Sequence, residues 1–151
     1  MAVNLKALKN DVIRERNCGI TTFQVVERSS KATSLTGDID RFVEQLGFER
    51  LGKNWIEINK EEAQTLATSV LHHDLAYNGP IMDFERAHEL AKGFLALFSD
   101  GTHFFTNGRS GVLASGGTYW QGSSISRSTF DKGVVCIDTT LLGILWVEDE
   151  D

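Results

Sequence analysis

SVLHHDLAYN (69–78) sets His72, His73 and Asp74 side by side, and His88, His103, Cys18 and Cys136 lie elsewhere in the chain. Imidazole, carboxylate and thiolate are the groups that bind metals and move protons, so their spacing decides what chemistry is open to them. Side chains share a helix face at i, i+3 or i, i+4, whereas neighbours diverge by about 100°. His72 and His73 therefore do not form a helical metal pair, and neither HExxH nor HxxxH occurs. Two histidines near a helix C-terminus, favoured by the macrodipole, are the simpler reading.

His88 lies between Phe84 and Ala91 on an apolar stripe, where a core or groove histidine is expected. As a site residue it needs Cys136, Asp138 or another histidine brought to it. His103, in THFF after Asp100-Gly101, has the same two readings. A reactive thiol needs an electropositive, partly open setting. Cys136 is flanked by Val135 and Ile137 in strand-like sequence, which fits a small buried hydrophobe, and nothing marks Cys18 as activated.

The Gly/Ser-rich stretch 107–128 (NGRSGVLASGGTYWQGSSISRS) lacks GxxxxGK[ST] and GxGxxG, and GRSG (108–111) has the wrong spacing for a GxSxG nucleophile elbow. Hairpin turns account for it. No catalytic motif, metal-ligand set or cofactor-binding motif emerges.

The remaining chemistry is charge. The 151 residues carry a net charge of −6. Residues 1–92 hold 12 Lys/Arg against 14 Asp/Glu; residues 93–151 hold Arg109, Arg127 and Lys132 against Asp100, Asp131, Asp138, Glu148, Asp149, Glu150 and Asp151. Affinity for nucleic-acid phosphates needs a basic surplus, so direct nucleic-acid binding is disfavoured and a basic protein partner is favoured. The closing VEDED (147–151) reads either as a solvated end or as an electrostatic docking element. Trp and Tyr are frequent interface anchors. Trp120 and Tyr119, in the Gly/Ser hairpin, are the candidates here, whereas Trp55 and Trp146 read as core.

These groups must be positioned by ordinary elements. An apolar fraction of 41% and a charged fraction of 24% are those of a globular protein, and the length fits one domain over 1–151. No apolar run is long enough to span a bilayer. The start lacks the pattern of a secretory signal, and two cysteines are too few for a disulfide framework, so a reducing cytoplasm is expected. Helices are predicted over 4–16, 38–48 and 84–98, and a further one starts at an Asn59/Glu62 capping box with a stripe of Ala63, Leu66, Ala67, Val70 and Leu71. ITTFQVVER (20–28) predicts a strand, 29–37 a loop, and FERLGKNWIEIN (48–59) a hairpin turning at Gly52-Lys53-Asn54. Beyond Asp100 the period becomes two. THFFTNG predicts a strand and turn, VLAS-GG-TYWQ a hairpin, and GVVCID-TT-LLGILWVE a second one with an unusual Thr-Thr turn. The expectation is an α+β fold: an antiparallel meander in the C-terminal third, with helices from the N-terminal and middle parts covering one face.

STFDKGVVCIDTTLLGILWVEDED (128–151) is similar to the ends of small bacterial proteins that serve as toxin-immunity partners. Thr129-Phe130-Asp131, Gly133 and Leu145–Asp151 carry the resemblance, over about a sixth of the chain. It implies a small, acidic, cytoplasmic protein without catalytic apparatus that blocks the basic surface of a nuclease or other toxin.

Three functions are weighed. The first is an immunity or inhibitor protein that occludes a cognate basic toxin or nuclease one-to-one. Its contact would be formed by Glu148, Asp149, Glu150, Asp151, Trp120, Tyr119 and Asp138, with no cofactor and no membrane. The second is a small cytoplasmic enzyme, a hydrolase or metal-dependent protein, centred on His88 with His72, His73 or Asp138. The third is a domain that self-associates through its last strand as a sheet edge; terminal charges oppose such pairing, so it ranks last.

Overall fold

The computed structural model describes residues 4–29 and 34–150. In chain order these form α1 (Leu5–Glu15), β1 (Ile20–Glu27), α2 (Leu35–Gln45), a 3-10 turn (Gly52–Asn54), β2 (Ile56–Ile58), α3 (Lys60–His72) and α4 (Phe84–Leu95). Strands β3 (His103–Thr106), β4 (Gly108–Val112), β5 (Thr118–Gly122), β6 (Phe130–Ile137) and β7 (Leu141–Asp149) follow. Five strands make one antiparallel sheet in the order β1-β7-β6-β3-β2, and β4-β5 form a separate two-stranded ribbon. The fold is α+β, as the change of period predicts. Among the described residues no helix is long and apolar enough to cross a membrane.

Local chemistry starts the helices where expected. Asn4 and Ser34 cap α1 and α2 through their side chains. Asn59 and Glu62 form a capping box at α3, with Glu62 N–H donating to Asn59 Oδ1 at 2.8 Å and Asn59 N–H to Glu62 Oε1 at 3.0 Å. The loop expected over 29–37 is shorter, because Ser34 begins α2; the part of that expectation over 30–33 lies outside the described residues.

The sheet is covered on both faces, not on one. Phe23, Val134, Cys136 and Leu145 point to a core shared with α1, α3 and α4. Val135, Ile137, Leu142, Ile144 and Trp146 point to a second core with Ile39, Phe42, Val43 and Trp55. Strands β6 and β7 are apolar at both parities for this reason. Phe98 lies against Gly143, where an added Cβ would sit 2.3 Å from the Phe98 ring. Among the pairs buried between elements are Phe23–Phe94 and Trp55–Trp146, both edge-to-face.

Two further expectations change. Residues 48–59 are no hairpin: 48–51 form no strand, and β2 pairs with β3. The Asp40 carboxylate accepts the N–H groups of Leu51 (3.0 Å) and Gly52 (3.1 Å) and the Trp55 indole N–H (2.8 Å), folding this segment around α2. The last strand is no edge. β7 lies between β1 and β6, which removes the route to self-association first considered for it.

The β6–β7 hairpin turns where expected, and a side chain closes it. Asp138 Oδ1 accepts the N–H groups of Thr140 (2.8 Å) and Leu141 (2.6 Å), while Oδ2 accepts the Ser99 N–H (3.0 Å). Thr139-Thr140 needs no special backbone once Asp138 holds the turn.

Candidate binding surface

The β4–β5 ribbon leaves the sheet between β3 and β6. Its pairs run from Gly108↔Gly122 through Ser110↔Trp120 and Gly111↔Tyr119 to Val112↔Thr118. Asn107 anchors the base. Its side-chain amide donates to Ser123 O (3.1 Å) and Asp131 O (3.0 Å), and its carbonyl accepts the Ser123 N–H (2.9 Å). The strands close tightly at the base, where a Cβ on Gly108 would lie 2.4 Å from Gln121 O. At the tip Leu113 N–H donates to Gly117 O (2.6 Å), and Gly116 takes a positive φ of 91°. The expected hairpin is therefore present, but its strands are 108–112 and 118–122 and its loop is longer than Gly-Gly.

An isolated two-stranded ribbon is marginally stable in water. This one is braced from two sides. Tyr119 lies across Gly111, where any side chain would collide with its ring. Trp120 lies under the Lys132 ammonium, 4.0 Å from the ring centroid, a cation–π contact between ribbon and β6. Burial holds the Lys132 pKa below its ordinary value, and the indole face opposes that by favouring the charged form. Between the ribbon and α3 runs a groove of about 560 Å³, with Lys132, Arg109 and Trp120 on one side and Glu61, Glu62 and Ser69 on the other.

Apolar surface remains exposed beyond the braces. Val112 is 73% exposed, Leu113 49% and Tyr119 45%, all on one projecting hairpin. Glu61 and Glu62, exposed on the first turn of α3, stand across the groove. Hydropathy alone did not select Val112 and Leu113, and the pairing of α3 with the ribbon is a product of the fold.

The C-terminal acids separate by strand alternation. Asp149 is buried. It receives Arg16 Nη1 (3.1 Å) and Nη2 (2.8 Å) as a two-pronged pair, and the Leu75 N–H at 2.8 Å. Arg16 also donates to Val70 O (2.6 Å), Cys18 O (2.7 Å) and His73 O (3.2 Å). Asp149 is thus an internal tie between α1, α3 and β7, and its place at a partner contact is corrected. Glu148 is half-buried and accepts the Ser128 hydroxyl at 3.0 Å. Glu150 is exposed and accepts Thr129 N–H at 3.1 Å and the Thr129 hydroxyl; these bonds hold its pKa below the ordinary value. Asp151 lies outside the described residues. Asp138, also expected at the contact, is buried in its turn. Burial pushes its carboxyl up, but donation from Ser99, Thr140 and Leu141 outweighs this and brings the pKa to about 2.

The histidines do not converge with Asp138. His88 is exposed, not part of the core, and stacks on Phe84 at 6.2 Å between ring centroids. Among the described residues no hydrogen bond or ion pair joins its ring to another titratable group. His72 Nδ1 lies 2.6 Å from Met82 O, and the His72 and His73 rings are 4.0 Å apart. Desolvation, and then the neighbouring His72, hold the His73 pKa below its ordinary value. His103 pairs with Glu57 at 2.6 Å on the surface. Cys136 is fully buried, and burial raises its thiol pKa well above the ordinary value. Among the described residues no group of three or more His, Cys, Asp and Glu is placed to hold a metal ion.

Fold and surface together define an α+β protein with a projecting, apolar-tipped β-ribbon beside an acidic helix start. No protein-family model, curated protein or solved structure matches the chain.

Proposed function

We propose that this chain is an inhibitory binding protein of the immunity type, which occludes the functional surface of a basic protein partner such as a toxin or nuclease domain. The observation that carries the reading is the braced ribbon, with Val112 and Leu113 exposed towards its tip and Tyr119 exposed on the face opposite Val112. Rigid aromatic and aliphatic anchors supply affinity in tight interfaces, and surrounding charge supplies steering. The acidic contribution comes from Glu61 and Glu62 across the groove, from Glu148 and Glu150, and from the net charge of −6. Trp120 acts as the brace that sets the ribbon's angle through Lys132. Inhibition is steric in this reading and uses no cofactor.

The test is affinity capture from the source cells with the intact chain and with Val112→Ser/Tyr119→Ala, at low and high salt. The reading expects one stoichiometric basic protein on the intact chain, released by salt and absent from the variant. Equal retention by both chains, or capture only of acidic proteins, refutes it.

A further inference from the structure

Charges of both signs stand unbridged in the groove between the ribbon and α3. Lys132 is half-buried there with its ammonium against the Trp120 face, and Arg109 is exposed on the same wall. On the α3 wall Glu61 is exposed, and Glu62 uses one oxygen to accept the Asn59 N–H at 3.0 Å. Among the described residues neither Lys132, Arg109 nor Glu61 forms an ion pair. A charge drawn partly out of water ordinarily has an opposite charge beside it. Here the opposite charges lie on facing walls and do not meet.

The groove has a direction. Glu62, Leu66 and Ser69 share one face of α3 at i, i+4 and i+7. Glu62 and Ser69 are therefore about 10 Å apart along the helix. Lys132 and Trp120 also border an adjoining hollow with Leu75, beyond the end of α3, which sets the ammonium toward the Ser69 end. Acid at one end and ammonium toward the other leave room for roughly three residues of extended chain.

The ribbon offers that chain a strand edge. Asn107 O accepts the Ser123 N–H (2.9 Å) and Leu113 N–H donates to Gly117 O (2.6 Å), at the two ends of the β4–β5 register. Odd-numbered residues of β4 therefore bond to β5, and Ser110 turns its N–H and C=O to the outer side. Ser110 is exposed and borders the groove, and no described strand pairs with β4 there. An extended main chain laid along this edge gains hydrogen bonds from both groups.

We propose that the groove binds short peptides with free ends, extended along β4 at Ser110, with the C-terminal carboxylate on Lys132, the amino group at Glu61 and Glu62, and a middle side chain against Trp120 and Leu66. The site lies at the base of the ribbon and not at its tip, so it does not rest on the inhibitory reading.

The test is calorimetric titration of the full chain with millimolar Ala-Leu-Ala, beside the same peptide amidated at its C-terminus and the same peptide acetylated at its N-terminus. The proposal expects saturable one-to-one binding of the free peptide. Each blocked peptide loses one charged contact, so its dissociation constant is at least about tenfold higher. Lys132→Met keeps an unbranched side chain against Trp120 without the charge; on this variant amidation has no further effect. Glu61→Gln/Glu62→Gln keeps the capping box, in which glutamine also serves; on this variant acetylation has no further effect. Absence of saturable binding by the unaltered chain overturns the proposal. So does binding that amidation and acetylation leave unchanged, or a loss on blocking that persists in full in the matching variant, which would put that end of the peptide elsewhere.

Discussion

Asp149→Ala distinguishes an internal tie from a docking tail. The substitution leaves the Arg16 guanidinium, which has no exposed side-chain surface, without its carboxylate and leaves the Leu75 N–H without its acceptor. Removing one member of a buried ion pair costs about 3–5 kcal/mol. Arg16 keeps carbonyl partners in Val70, Cys18 and His73, which places the expected cost at the lower end, about 3 kcal/mol. That is a large share of the roughly 5–15 kcal/mol by which domains are stable. The assay is urea unfolding followed by tryptophan fluorescence, to which the buried Trp55 and Trp146 contribute. With a urea slope of about 1–3 kcal/mol/M, the midpoint falls by about 1 M or more. Glu150→Ala, one residue away and exposed, leaves the midpoint in place. Equal midpoints for the two variants refute the assignment of Asp149 to the interior.

Two other predictions concern the same framework. Asp138 titrates at about 2 in the folded chain against an ordinary 3.8, so its contribution is present above about pH 4 and is lost as pH falls through 2. This amounts to about 2 kcal/mol. Urea midpoints across that window fall for the unaltered chain and fall less for Asp138→Asn; parallel curves contradict the role of Asp138 in the turn. Gly19→Ala meets both a positive φ of 64° and contacts of 2.1 Å with Asp149 Oδ1 and 2.2 Å with Glu148 O. A destabilisation of at least about 2 kcal/mol follows by the same assay, and an unchanged midpoint contradicts it.

The sequence was most legible where chemistry is local. α1 and β1 lie within a residue or two of their expected limits, α3 starts at its expected Asn59 cap, and the β6–β7 hairpin turns where expected although β6 begins three residues earlier, at Phe130, because periodicity and capping act over a few positions. The even spread of apolar residues along GVVCI and LLGILWV was a visible sign of strands buried on both faces, and the one-sided sheet expected from the meander overlooked it. Residues 48–59 were misread because Asp40, on a preceding helix, captures the amides that a hairpin would have used. The Arg16–Asp149 pair spans 133 positions, a separation at which no local pattern operates. The terminal acids therefore looked alike although alternation sends Asp149 inward and leaves Glu150 in water. Tyr119 and Trp120 were legible as aromatics in a hairpin. Their different roles, exposed anchor and cation-braced support, depend on Gly111 and Lys132 across the fold.

The inhibitory reading is tested most directly by calorimetric titration of the captured basic partner with the unaltered chain and with Tyr119→Ala. An anchor at the centre of an interface contributes about 2 kcal/mol or more, so the account predicts a dissociation constant raised about thirtyfold or more. An unchanged constant, with the variant's fold intact, would place the contact elsewhere and contradict the account.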